Sequence, residues 1–111
     1  GWLPYEIDCS ISQLHAAHAA DLNRDGLPDL VTGKRFWAHR HDDEGIDDPA
    51  VLVWYELTRQ DRKPVWIRHD IDADSGVGLH FAIVDINADG LLDIVTSSKK
   101  GVYLFLQEKE P

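Results

Sequence analysis

Residues 21–32 read DLNRDGLPDLVT, and residues 85–96 read DINADGLLDIVT. The second stretch copies the first at an offset of 64 positions. At that offset Trp2 also falls on Trp66, Leu3 on Ile67, Ile7 on Ile71 and Asp8 on Asp72. Self-similarity at a fixed period of this size marks a chain built from copies of one unit. Further on, VLVWYEL (51–57) matches VYLFLQ (102–107) at an offset near 50, so the first copy carries about 14 extra residues. They fall at 36–49, FWAHRHDDEGIDDP, a polar stretch rich in turn formers and without period, which reads as a loop.

The periodic segments are short, rich in β-branched and aromatic residues, and bounded by Gly, Asp, Asn or Pro. Strands are expected near 2–8, 15–20, 30–34, 51–57, 65–72, 79–84, 94–98 and 102–107. No window of ten or more residues carries a convincing helical period. The fold class is therefore all-β. A four-stranded unit repeated at this length is the signature of a β-propeller blade. Blade 1 spans about 15–72. Blade 2 spans about 79–107 and lacks its fourth strand, whose copy is the segment 2–8 at the other end of the chain. Two blades do not close a ring of the usual four to eight. The expectation is a single two-blade unit in which a neighbouring chain supplies the missing strand, three or four chains making a cyclic homo-oligomer. The competing expectation is a fragment of a longer chain.

Composition narrows the partners. Eleven basic against 20 acidic residues leave a formal charge of −9, which disfavours nucleic acid and anionic membranes. No apolar run approaches the roughly 20 residues of a membrane span. The lone cysteine, Cys9, has no disulfide partner in the chain and is expected as a buried thiol rather than a nucleophile.

Both repeated loops place oxygen-bearing side chains at positions 1, 3, 5 and 9: Asp21, Asn23, Asp25 and Asp29, then Asp85, Asn87, Asp89 and Asp93. Such a density of hard oxygen donors suits Ca²⁺, with the Leu27 and Leu91 carbonyls as backbone ligands at position 7 and a glycine at position 6 for the turn. Two Ca²⁺ sites are expected. An EF-hand would need an acid at position 12, where Thr32 and Thr96 stand. His15 and His18 point to opposite faces of a strand, and His39 and His41 lack a third ligand nearby, so zinc is not expected.

With these loops entering L/I-V-T strands, the chain resembles the FG-GAP/VCBS repeats of integrin-type β-propellers. The Phe-Gly…Gly-Ala-Pro signature is absent, and bacterial VCBS-type proteins are the better match. The resemblance implies that Ca²⁺ sits in the hairpin between the first two strands of each blade. The 36–49 insertion then shares the opposite end with 8–13 and 72–78. There Arg35, Trp37 and His39 offer an aromatic ring beside hydrogen-bonding groups, as a sugar site requires. The expected function is a secreted (extracellular or periplasmic), calcium-binding, non-catalytic module that binds carbohydrate in a lectin-like manner. The alternatives are a protein-interaction or adhesion module of a larger extracellular protein, or an accessory part of a polysaccharide-active enzyme. No catalytic constellation stands out, so an enzyme is not expected.

Overall fold

The computed structural model describes residues 1–12, 14–34, 49–78, 80–98 and 101–109, and within them the chain forms strands and no helix. Strands β1 (Leu14–Ala20), β2 (Asp29–Lys34), β3 (Leu52–Gln60) and β4 (Lys63–Asp72) form one antiparallel sheet in sequence order. Strands β5 (Phe81–Val84), β6 (Asp93–Ser98) and β7 (Gly101–Phe105) form a second, three-stranded sheet of the same up-and-down order. The registers repeat with the sequence: Leu30 pairs with Tyr55 as Ile94 pairs with Phe105.

The β3–β4 hairpin runs further than its apolar residues suggest. Polar residues 58–64 continue the ladder up to Gln60 opposite Lys63, because Asp61 and Arg62 close a two-residue turn with φ of 52° and 66°. Positive φ at both central positions gives the turn a twist that matches the strands it joins.

Strand alternation gives each sheet two faces. On the front of the first sheet lie Val31, Leu52 and Trp54; on its back lie Leu30, Val53 and Tyr55. The front packs on the back of the second sheet, where Val31 and Leu52 meet Phe81 and Ile94, with Trp54, Ile83 and Phe105 around them. His18 sets its ring edge against Phe81 at 4.6 Å. On the back of the first sheet, Val51, Val53 and Tyr55 form a separate cluster against Leu30, Trp66 and Ile11. The front of the second sheet has no such cover among the described residues. Val84, Val102 and Leu104 stand there exposed.

Residues 2–8 form no strand in the single chain, contrary to the sequence expectation. Trp2 is 99% exposed, and Leu3 and Tyr5 are nearly as open, because the segment pairs with neither sheet. It is anchored only at its end. The Tyr55 hydroxyl donates to Asp8 Oδ2 at 2.6 Å, and the Ser10 N–H donates to Asp8 Oδ1 at 2.7 Å. Hydrogen bonds from Ser10 and then Tyr55 hold the Asp8 carboxyl down at about 2. Burial, and then Asp8, push the Tyr55 hydroxyl up.

The link between the sheets is buried at its middle, residues 75–77. Val77 N–H donates to the Lys34 carbonyl at 3.0 Å, Lys34 N–H donates to the Val51 carbonyl at 2.8 Å, and Ala50 bridges to Asp74. The two ends of the long connection, Lys34 and Val51, therefore sit beside 74–77, at the end of the sheets expected from strand order. Arg35, Trp37 and His39 lie outside the described residues.

Candidate metal centre

The two acidic loops fold alike. Position 4 is left-handed in both, Arg24 at φ 62° and Ala88 at φ 59°, and Gly26 and Gly90 follow at 87°. These turns curl the backbone around the carboxylate at position 1. Asp21 accepts from the N–H groups of Asp25 (3.1 Å) and Gly26 (2.8 Å), and Asp85 accepts from Asp89 and Gly90 at the same distances. The Gly90 N–H is the main cause holding the Asp85 carboxyl below its usual range. Position 5 caps the next turn, Leu27 N–H donating to Asp25 and Leu91 N–H to Asp89, both at 2.9 Å.

Position 9 has a role that the spacing alone does not reveal. Asp29 is fully buried and accepts from Leu22 N–H at the head of its own loop and from Leu57 N–H on β3, both at 2.9 Å. Asp93 does the same with Ile86 (3.0 Å) and Gln107 (2.9 Å). Asp29 thereby pins its loop to β3, and Asp93 pins its loop to the segment that follows β7. The signal available in the sequence was that position 9 also opens a strand, which places it inside the sheet rather than on the loop rim.

Asp85, Asp89 and Asp93 each bring a carboxylate oxygen within 4.8 Å of the others, a cluster that can hold a metal ion. That spacing is on the scale of two oxygens sharing one Ca²⁺ at about 2.3–2.6 Å each, so a small inward movement lets one ion reach all three. The Asn87 amide end lies 3.0 Å from Asp89 Oδ1 and 3.2 Å from Asp85 Oδ1. Turned nitrogen-inward it donates to both; turned oxygen-inward it adds a neutral ligand beside the carboxylates. The donor set is all oxygen, and among the described residues no ion pair neutralises it.

The first loop departs at position 3. Asn23 Nδ2 donates to Glu56 Oε2 on β3 at 3.0 Å, and Glu56 Oε1 in turn meets His69 Nε2 at 2.9 Å. Leu106 occupies the place of Glu56 in the second copy and leaves Asn87 to its own loop. Asp21, Asp25 and Asp29 do not converge as their copies do. The loops are neighbours all the same: Gln107 Nε2 donates to the Leu22 carbonyl at 3.0 Å, and Arg24 Nη1 lies 3.6 Å from where a Cβ on Gly90 would stand.

Other candidates sort quickly. Cys9 is exposed, not buried, and its thiol donates to Glu6 Oε1 at 2.8 Å. That bond pushes the thiol up and away from thiolate chemistry. His15 and His18 are both exposed on β1 and belong to no metal-binding group among the described residues. Trp54 packs against the core, half-buried and stacked on His69 with ring centres 4.4 Å apart. No family model matches the chain, and no curated protein or solved structure is significantly similar to it.

Proposed function

We propose that the protein is a calcium-binding, non-catalytic β-propeller module working outside the cytoplasm, with Ca²⁺ as a structural ion. The observation that carries this reading is the convergence of Asp85, Asp89 and Asp93 inside a loop whose backbone shape recurs at 21–29. A ligand of the folded state alone raises stability by mass action. The second loop is assigned the tighter site and the first a weaker one, because Asn23 is held by Glu56. Sites of this kind in extracellular modules fill at calcium levels found outside cells.

Chelation is the direct test. With calcium about 100-fold above its dissociation constant, the stabilisation is about 2.7 kcal/mol, or on the order of 10 °C in melting temperature. EDTA should remove that increment and recalcification restore it. Asp89→Ala should lose most of it, since it removes one of the three converging carboxylates, while its single backbone bond keeps the calcium-independent cost small. A melting curve indifferent to EDTA and calcium sinks the reading.

The carbohydrate reading rests on the sequence of the insertion, with Trp37 as the stacking ring and Arg35 and His39 beside it. Glycan-array binding that disappears on Trp37→Ala is the expected outcome. An array blank at millimolar sugar favours instead a protein-interaction role for the same end of the module.

A further inference from the structure

We propose that the first acidic loop is a calcium-responsive switch rather than a second strut, and that Glu56 is the residue that makes it one. Glu56 holds Asn23 away from the loop until calcium draws it in, and the exchange is passed through His69 to Trp54 between the sheets. This rests on the calcium reading above and assigns a regulatory role to one of its two sites.

The two copies supply the comparison. Their loops carry the same side chains at positions 1, 3, 5 and 9. The left-handed residues agree, and so do the backbone bonds to the carboxylates at positions 1 and 5. What differs is the setting of position 3. Asn87 lies over its own loop, its amide end 3.0 Å from Asp89 Oδ1 and 3.2 Å from Asp85 Oδ1, and there the acids converge. Asn23 turns the other way and donates to Glu56 Oε2 at 3.0 Å, and there they do not. One molecule thus displays both settings of the same element.

The cause lies on the neighbouring strand. Leu30 pairs with Tyr55 as Ile94 pairs with Phe105, so Glu56 and Leu106 occupy equivalent places. A leucine side chain offers no acceptor, and Asn87 stays with its loop; a carboxylate offers two oxygens. Arg24, which stands where the second copy has Ala88, points elsewhere: its Nη1 lies beside Gly90 of the other loop.

The contact is built as a latch rather than a lock. With Oε2 on Asn23 and Oε1 on His69 Nε2 at 2.9 Å, Glu56 is steadied from the side opposite the loop. Its side chain is 24% exposed, so water takes the place that Asn23 leaves and no buried charge is stranded. His69 in turn stacks on Trp54 with the planes 19° apart, and Trp54 packs against the core between the sheets. Release of Asn23 resets Glu56 and His69, and the change reaches the sheet interface through that stack.

The consequence is a split calcium response. A site whose competent setting is populated only about one-tenth of the time binds about ten-fold more weakly than its intrinsic affinity. The second loop then fills first and holds the fold, while the first still responds to calcium.

A calcium titration of the full chain at fixed pH, followed by nuclear magnetic resonance, tests this. The amides of Gly26 and Gly90 report the two loops, and the ring protons of His69 report the latch. In wild type Gly90 should move first, Gly26 at about ten-fold higher calcium, and His69 together with Gly26. Glu56→Leu and Glu56→Gln remove the same charge, but the amide of the second keeps an oxygen for Asn23. Glu56→Leu should therefore fill the first loop about five-fold more tightly than Glu56→Gln. Equal Gly26 midpoints in the two variants overturn the latch. So does a wild type in which Gly26 moves with Gly90 or never moves, or in which His69 follows Gly90. The calcium reading survives all of those results, whereas two glycines that both ignore calcium sink it together with the latch.

Discussion

Asp29→Ala should lower the unfolding free energy by about 2–6 kcal/mol even in calcium-free buffer, because it strands two inward N–H groups at about 1–3 kcal/mol each. Those groups are Leu22 N–H and Leu57 N–H, and the second ties the loop to β3. The contrast is Asp25→Ala. Its carboxylate is exposed and accepts from Leu27 alone, so without calcium it should cost no more than about 1 kcal/mol. With calcium present both variants lose the ion's contribution, and the gap between them should persist. Urea melts of the two variants with and without EDTA separate the peg from the ligand. If Asp29→Ala unfolds with wild type in EDTA, the peg does not stabilise the fold. Asp29→Asn should fall between, since one of its two acceptor atoms becomes a donor facing a donor.

Gly76→Ala is the second severe change. Gly76 lies in the buried link at φ +60°, and a Cβ there would fall inside van der Waals contact of the Lys34 carbonyl oxygen and 3.2 Å from Ala50 Cβ. The left-handed backbone alone costs about 1–2 kcal/mol for an L-residue. The clash is with backbone, so it is relieved only by moving the link, and with it the Val77 N–H bond to Lys34. A total of about 3 kcal/mol or more is expected, a large share of a domain's usual 5–15 kcal/mol. Gly26→Ala makes a useful comparison, because it shares the positive φ but has open space around its Cβ. Denaturant midpoints of the two should differ by the clash. Equal losses would mean that the link yields and that the contact with Lys34 does not matter.

Much of the architecture was legible because a repeat states its own boundaries. Each Asp-x-Asn-x-Asp-Gly run marks a turn, and the L/I-V-T that follows marks a strand, so the second copy confirms each reading of the first. What escaped was whatever depends on partners outside the local stretch. The strands at 58–60 and 63–64 are polar, and their pairing comes from the turn between them rather than from burial. Residues 2–8 carry a strand's pattern, but a pattern supplies no edge to pair with. Cys9 follows that segment to the surface instead of into the core. The three aspartates that converge, Asp85, Asp89 and Asp93, were visible by spacing, whereas the tether from Asp29 to Leu57 spans 28 positions and appears only once β3 is in place.

The connection between Lys34 and Val51 has a consequence for redesign. In the second copy the matching ends, Ser98 and Gly101, are separated by only residues 99 and 100, while the first copy fits residues 35–50 between its ends. Closing a loop eight times longer costs only about 2 kcal/mol in chain entropy. In the first copy a bond from Lys34 N–H to the Val51 carbonyl already clamps the two ends together. The place behaves as a socket, indifferent to the length of what is plugged in. A foreign recognition loop grafted at 99–100 would then be displayed on the same rim as the longer connection of the first copy.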